Sequence, residues 1–279
     1  MDIAYLNGNW IPPGEAKISV FDRGFMFGES VYEVLAVYDS RIYALEEHLN
    51  RLESSLEAIK LEPPFSRKEF AALLLATVEK AQEVSALIYM QISRGVQYPR
   101  AHELASNIKP TVLVVLTRRN QLSKEEMFPL RIVTKDDFRW GRADIKTTSL
   151  MANVMLKNEA ISEGFDDVIL IREGEVTESP SANVFLVKNE KVYTPKKSEF
   201  LLHGITRGLV IKLCELEGLE VHERPVQKEE LHEADEVWLT GTGRGICLVA
   251  SIDGRAVGSK QDFIWSRIFD RFKKNALQN

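Results

Sequence analysis

The chain of 279 residues is 44% hydrophobic and 28% charged, enough for one large or two medium domains with sizeable cores. Its 36 Lys plus Arg against 41 Asp plus Glu leave a net charge of −5 without a basic block or an acidic tail, which argues against nucleic acid or an anionic membrane as partner. The opening MDIAYLNGNW lacks a leader pattern, no run approaches the roughly 18 apolar residues of a membrane span, and two cysteines, Cys214 and Cys247, make no disulfide framework; a cytoplasmic protein is expected.

In chain order, IAYLNGNWI predicts a hairpin at Asn7-Gly8, and ESVYEVLAVYDSRIYAL predicts two strands about Asp39-Ser40. Leu45, Leu49, Leu52, Leu56 and Ile59 recur at spacings of four and three, one apolar face of a helix, with His48, Arg51 and Ser55 on its flank. Pro63-Pro64 ends that helix, and Ser66 caps another whose buried stripe is Phe70, Leu73, Leu74 and Val78. LIYMQIS and TVLVVLT read as strands, and between them GVQYPRAHEL places Arg100 and His102 on one side of a short extended segment. Grouped strands with helices between them predict an α+β class.

RRNQLSKEE is the most polar connection, so the predicted organisation is a small N-terminal α/β domain over 1–119, a linker over 120–126 and a larger domain over 127–279. In the latter, LRIVTKDDF, DDVILIREGEVTE, ANVFLVKNEKVYTP and ICLVASIDGRAVG read as strands and hairpins, with turns at Glu173-Gly174, Asn189-Glu190 and Asp253-Gly254. One helix is predicted from Ser149 to Gly164, a second from Gly204 to Gly218, and an amphipathic third at DFIWSRIFDRFKKN.

The five histidines form no His-Glu-x-x-His pair, so no metal is expected; GESVY lacks the second glycine of a nucleophile elbow, and GTGRGI has Ile246 where a dinucleotide loop needs glycine. The remaining features suit a phosphate. Gly204, Ile205 and Thr206 open a helix, where free N–H groups and the positive end of the dipole favour an anion. Thr242 in LTGTGRG offers a hydroxyl and Arg51 a cation on a helix flank. Taken singly, each is ordinary: a threonine at a helix start is usually a cap-region residue, and loop cations usually face water.

Together with FDRGFMFGESVYEVLAVY, HLNRL, SRG, YPRAH, DIKTTSLMANVMLKNEA, EVTESPSANVF, LHGITRGLV and EVWLTGT, the chain resembles the fold-type IV pyridoxal-phosphate enzymes along nearly its whole length. The pattern is most similar to that of the D-amino-acid transaminases. The resemblance implies a two-domain fold, the larger domain having a β-barrel-like core flanked by helices, with pyridoxal 5'-phosphate as cofactor. It implies that Lys146 is the Schiff-base lysine, that Glu178 lies against the pyridine nitrogen, and that Leu202 lies beside the ring. Arg51, Ile205, Thr206 and Thr242 are then the phosphate residues. Tyr32, Arg100 and His102 are the substrate-carboxylate residues, Arg100 and His102 reaching over from the partner subunit of a homodimer. The implied reaction is ping-pong amino transfer from D-amino acids to 2-oxo acids. Pro180, Ala182 and Gly241 depart from the usual pattern, and Arg244 is an extra arginine able to bind a second carboxylate. These departures leave aminodeoxychorismate lyase as the alternative. A branched-chain L-aminotransferase fits YPRAH less well, and a cofactor-free protein that kept the fold is a third reading.

Overall fold

The computed structural model describes residues 2–278 apart from Ala105, Gln121, Leu122, Glu125, Glu126 and 259–263, with only the backbone of Gln278. Much of the expected linker at 120–126 therefore lies outside the described residues. The chain forms two compact units, Met1–Gln121 with Ile145–Ser149, and Leu122–Asp144 with Leu150–Gln278.

In the first unit β1 (Ile3–Leu6) and β2 (Asn9–Ile11) turn at Asn7 and Gly8, whose φ values of 48° and 100° suit a tight hairpin. A 3-10 turn at Pro13–Glu15 leads to α1 (Arg23–Phe27), β3 (Ser30–Tyr38), β4 (Arg41–Ile42), α2 (Leu45–Ala58), α3 (Arg67–Ala81), β5 (Ser85–Ser93) and β6 (Thr111–Arg118). Their order in the sheet is β2-β1-β6-β5-β3-β4, with every neighbouring pair antiparallel. Helix α2 packs on β3 and α3 on β1 and β6, burying Leu49, Leu52, Leu56, Phe70, Leu74 and Val78. Leu73, expected within the stripe, is only partly buried; Thr77 takes the inner position and donates its hydroxyl to Leu73 O at 2.8 Å. The Ser66 cap closes reciprocally with Glu69.

The second unit contains β7 (Leu130–Asp136), α4 (Met151–Ser162), β8 (Asp167–Arg172), β9 (Glu175–Val176), β10 (Asn183–Lys188), β11 (Lys191–Pro195), α5 (Ile205–Leu216), β12 (Val221–Arg224), α6 (Glu230–Glu233), β13 (Glu236–Gly241), β14 (Gly245–Ile252), β15 (Arg255–Ala256) and α7 (Ile264–Gln278). Strand β13 was not among the predicted strands. It is central and buried on both faces, so EVWLTG lacks the alternation that marks a half-exposed strand. The sheet runs β12-β11-β10-β13-β14-β7-β8-β9, with β15 folded back on β14. Its β11/β12, β14/β7 and β7/β8 pairs are parallel. It curls until Val176 N, at the end of β9, donates to Val226 O, just past β12, at 2.8 Å. That near-closure gives the barrel-like core that the resemblance implies. Among the described residues, no helix is long and apolar enough to cross a membrane.

Candidate active site

Ile145–Ser149 joins the first unit although the chain on either side belongs to the second. Its backbone continues the edge of β3: Tyr32 N donates to Lys146 O at 3.0 Å, Thr148 N donates to Ser30 O at 3.1 Å, and Thr147 bridges Val31. These bonds satisfy strand groups that would otherwise be unpaired, and they fix Lys146 beside Tyr32. Lys146 Nζ lies 4.2 Å from the centre of the Tyr32 ring.

Strand alternation turns the next side chain, Glu33, to the opposite face, where it is fully buried against α2. There Arg51 Nε and one terminal nitrogen donate to the two Glu33 oxygens at 2.8 and 2.7 Å, and His48 Nδ1 lies 2.7 Å from Oε2. Burial pushes the Glu33 carboxyl up, but the Arg51 charge and the hydrogen bonds from Arg51 and His48 outweigh it and hold the group down to about 2. Burial pulls the His48 imidazole down; Glu33 opposes that, while the Arg51 and Lys146 charges add to it. Arg51, expected to contact a phosphate, is thus held in a two-pronged bond to Glu33 that fixes the plane of its guanidinium.

Arg100 and His102 meet on a different residue. The Arg100 guanidinium lies 4.5 Å over the Phe27 ring, and the His102 ring centre is 5.3 Å from it. The loop that carries them is bent rather than extended as expected, because the Ala101 and His102 carbonyls turn towards Arg23 on α1.

In the second unit Glu178 follows β9 and is buried. Its Oε1 accepts from Arg139 at 2.6 Å; its Oε2 accepts from Leu202 N at 3.1 Å and from Asn183 Nδ2 at 3.2 Å. Arg139 also donates to both Asp137 oxygens at 2.9 Å. Burial disfavours the Arg139 cation, yet the hydrogen bonds and charges of Asp137 and Glu178 outweigh it and raise its pKa above the usual guanidinium range. Leu202 and Glu178 are therefore locked together through Asn183, which donates also to Leu202 O at 2.8 Å.

Helix α5 starts immediately beyond. Its N-cap, Gly204, supplies no side-chain acceptor to the first turn, and Thr206 is buried in that turn. A Cβ on Gly204 would overlap Asn183 Oδ1, so glycine is what allows the helix end to approach the Glu178 cluster. Thr242 lies on the turn between β13 and β14. Arg244, on the same turn, donates to buried Asp167 at 2.7 Å, and Lys157 pairs with the same carboxylate at 2.9 Å. The extra arginine is engaged in an ion pair of its own unit.

The second unit thus offers a helix end without a side-chain cap, a threonine hydroxyl in the first turn of that helix, and a buried carboxylate braced by an arginine. The first offers a lysine against an aromatic ring and an oriented arginine. Such donors fit a phosphorylated pyridine. Among the described residues, no group of three or more His, Cys, Asp or Glu could hold a metal ion.

The model of the amino-transferase class IV family matches residues 30–252. The chain belongs to this family. Class IV aminotransferases are pyridoxal-phosphate enzymes of fold-type IV, and this chain is one of them. It is 38% identical over 253 residues to the D-alanine aminotransferase of Bacillus licheniformis, covering 91% of this chain and 89% of that one. It is 31% identical over 276 residues to a D-alanine aminotransferase of Listeria monocytogenes, covering 98% and 96%. The branched-chain amino acid aminotransferase of Escherichia coli superposes with a TM-score of 0.89 at 25% identity, over 97% of this chain and 93% of that one.

The braces of this class IV aminotransferase were missed in the sequence. Glu33 carried a readable signal, an acidic residue inside the apolar strand SVYEVLAVY, where a buried charge requires a partner. Arg139 and Asn183 carried none, because Arg139 finds Glu178, and Asn183 finds Leu202, far along the chain.

Proposed function

We propose that this aminotransferase moves amino groups between D-amino acids and 2-oxo acids, with D-alanine and 2-oxoglutarate as the type pair. The observation that carries this reading is the Arg100-x-His102 pair gathered on Phe27, in a chain 38% identical to a D-alanine aminotransferase. A planar guanidinium grips a carboxylate bidentately, and an imidazole two residues on can complete the grip. In this reading Tyr32 contributes its hydroxyl to the same carboxylate, and the loop serves the site of the partner subunit in a cytoplasmic homodimer.

Pyridoxal phosphate, when bound, supplies the electron sink that lets the Cα–H bond of an amino acid break. Lys146 would be its covalent anchor, and the freed Lys146 Nζ the base that takes the Cα proton from the amino donor and, in the return half-reaction, delivers a proton to the Cα of the acceptor. Because one amine works from one face, the orientation of the substrate carboxylate selects the enantiomer. Glu178, fixed by Arg139, Asn183 and the Leu202 amide, would keep a negative charge against the pyridine nitrogen. Leu202 would flank the ring, while Arg51, the Ile205 and Thr206 amides, and the Thr206 and Thr242 hydroxyls would hold the phosphate.

A panel of amino donors on the purified holoenzyme tests the assignment. Pyruvate and D-glutamate from D-alanine and 2-oxoglutarate are expected. Activity confined to L-leucine and L-valine, or 4-aminobenzoate release from aminodeoxychorismate without amino transfer, would overturn it.

A further inference from the structure

Among the described residues, the loop carrying Arg100 and His102 has only the isolated bridge of Val96 with Asp22 for strand pairing, yet both side chains must be held for a carboxylate to find them together. Buried Arg23 reaches the loop backbone at the residues that carry them. Arg23, the first residue of α1 and only 5% exposed, donates one terminal nitrogen to Ala101 O at 2.7 Å and to Gln97 Oε1 at 2.8 Å, and the other to His102 O at 3.1 Å. Its guanidinium also lies 4.9 Å from the Phe27 ring that Arg100 faces. Two consecutive carbonyls, those of Ala101 and His102, are therefore both pinned, and the backbone they belong to sets where Arg100 and His102 project.

The pin is itself anchored. Arg23 Nε donates to Glu29 at 2.5 Å, and Glu29 is shared with buried Arg94, which donates to the Ile59 and Lys60 carbonyls at the end of α2. Gln97 cross-braces the loop through Glu103 O at 2.9 Å, and Arg23 N donates to Gly95 O at 2.8 Å. At Gly95 φ is +100° and a Cβ would overlap Lys109 O, so the chain can enter the loop this way only with glycine. A five-donor planar fork suits this role because it serves three loop acceptors and Glu29 from one rigid group, which a lysine ammonium on a flexible stem does not.

We infer that Arg23 is a positioning residue for substrate, presetting the Arg100 and His102 carboxylate grip by clamping the backbone that carries them. The inference rests on the reading of that pair as the carboxylate site. The experiment compares Arg23→Lys, Gln97→Ala and Arg100→Ala holoenzymes in D-alanine transamination, with bound-cofactor absorbance and amide hydrogen exchange across residues 97–104.

The expected result is a KM for D-alanine raised on the order of tenfold in Arg23→Lys and several-fold in Gln97→Ala. The kcat at saturating substrate and the cofactor content should stay near wild type, and exchange should be faster at the loop amides. A KM raised by Arg100→Ala but untouched by both other variants would overturn the clamp and leave the carboxylate site standing. A KM unmoved by Arg100→Ala would overturn the carboxylate site and the clamp's role with it. Should Arg23→Lys fail to fold, the half-buried Gln97 still tests the same bond.

Discussion

Replacing Glu33 by Gln removes the charge of a fully buried carboxylate while leaving the shape of its cluster nearly intact. The fall of the Glu33 pKa from 4.5 to about 2 means that the folded state favours the ionised form by about 3 kcal/mol. Removing one partner of a buried ion pair costs about 3–5 kcal/mol by the independent route of leaving the other uncompensated, here Arg51, whose side chain is 11% exposed. Both routes place the loss near 3 kcal/mol at pH 7. The folded pKa lies below the unfolded one, so this stabilisation is complete above pH 4.5 and disappears as the pH falls towards 2. Urea unfolding of wild type and Glu33→Gln followed by tryptophan fluorescence checks it: the gap should be about 3 kcal/mol at neutral pH and should narrow over that acid window. A gap below about 0.5 kcal/mol at pH 7, within the range of an ordinary surface substitution, would refute the reasoning. So would a gap that persists unchanged to the acid end.

Arg139→Met takes away the cation shared by Glu178 and Asp137; kcat should fall on the order of tenfold or more with a smaller change in KM, as steady-state kinetics would show. Gly204→Ala drives a methyl into Asn183, which must then release Leu202 or Glu178. Its affinity for pyridoxal phosphate, measured by fluorescence titration of the apoenzyme, should weaken about tenfold, with a stability loss of about 1–3 kcal/mol.

Much of the fold was legible because local chemistry dictated it. The turns at Asn7-Gly8 and Asp253-Gly254 adopt the left-handed backbone that Asn, Asp and Gly tolerate, and those at Glu173-Gly174 and Asn189-Glu190 adopt it as well. The Leu49, Leu52 and Leu56 stripe and the Ser66 cap were equally local. The residue motifs also named the family, since many short matches in order are a property of sequence alone.

What tertiary structure decided is which of these residues are held, and by what. Nothing in DIKTTS shows that five residues leave the second unit to pair with β3, because a single bridge and two hydrogen bonds have no sequence period. Arg51 read as a cation on a helix flank, and only the approach of β3 made it the partner of Glu33. Arg244 read as an added substrate cation, and only the turn that joins β13 to β14 delivered it to Asp167 at the start of β8. In GVQYPRAHEL the two cations were visible at once, but the residue that pins their backbone, Arg23, lies more than seventy positions earlier. Local propensity acts over a few residues, whereas a buried charge finds its counter-charge wherever the fold delivers one, and that delivery is set by packing.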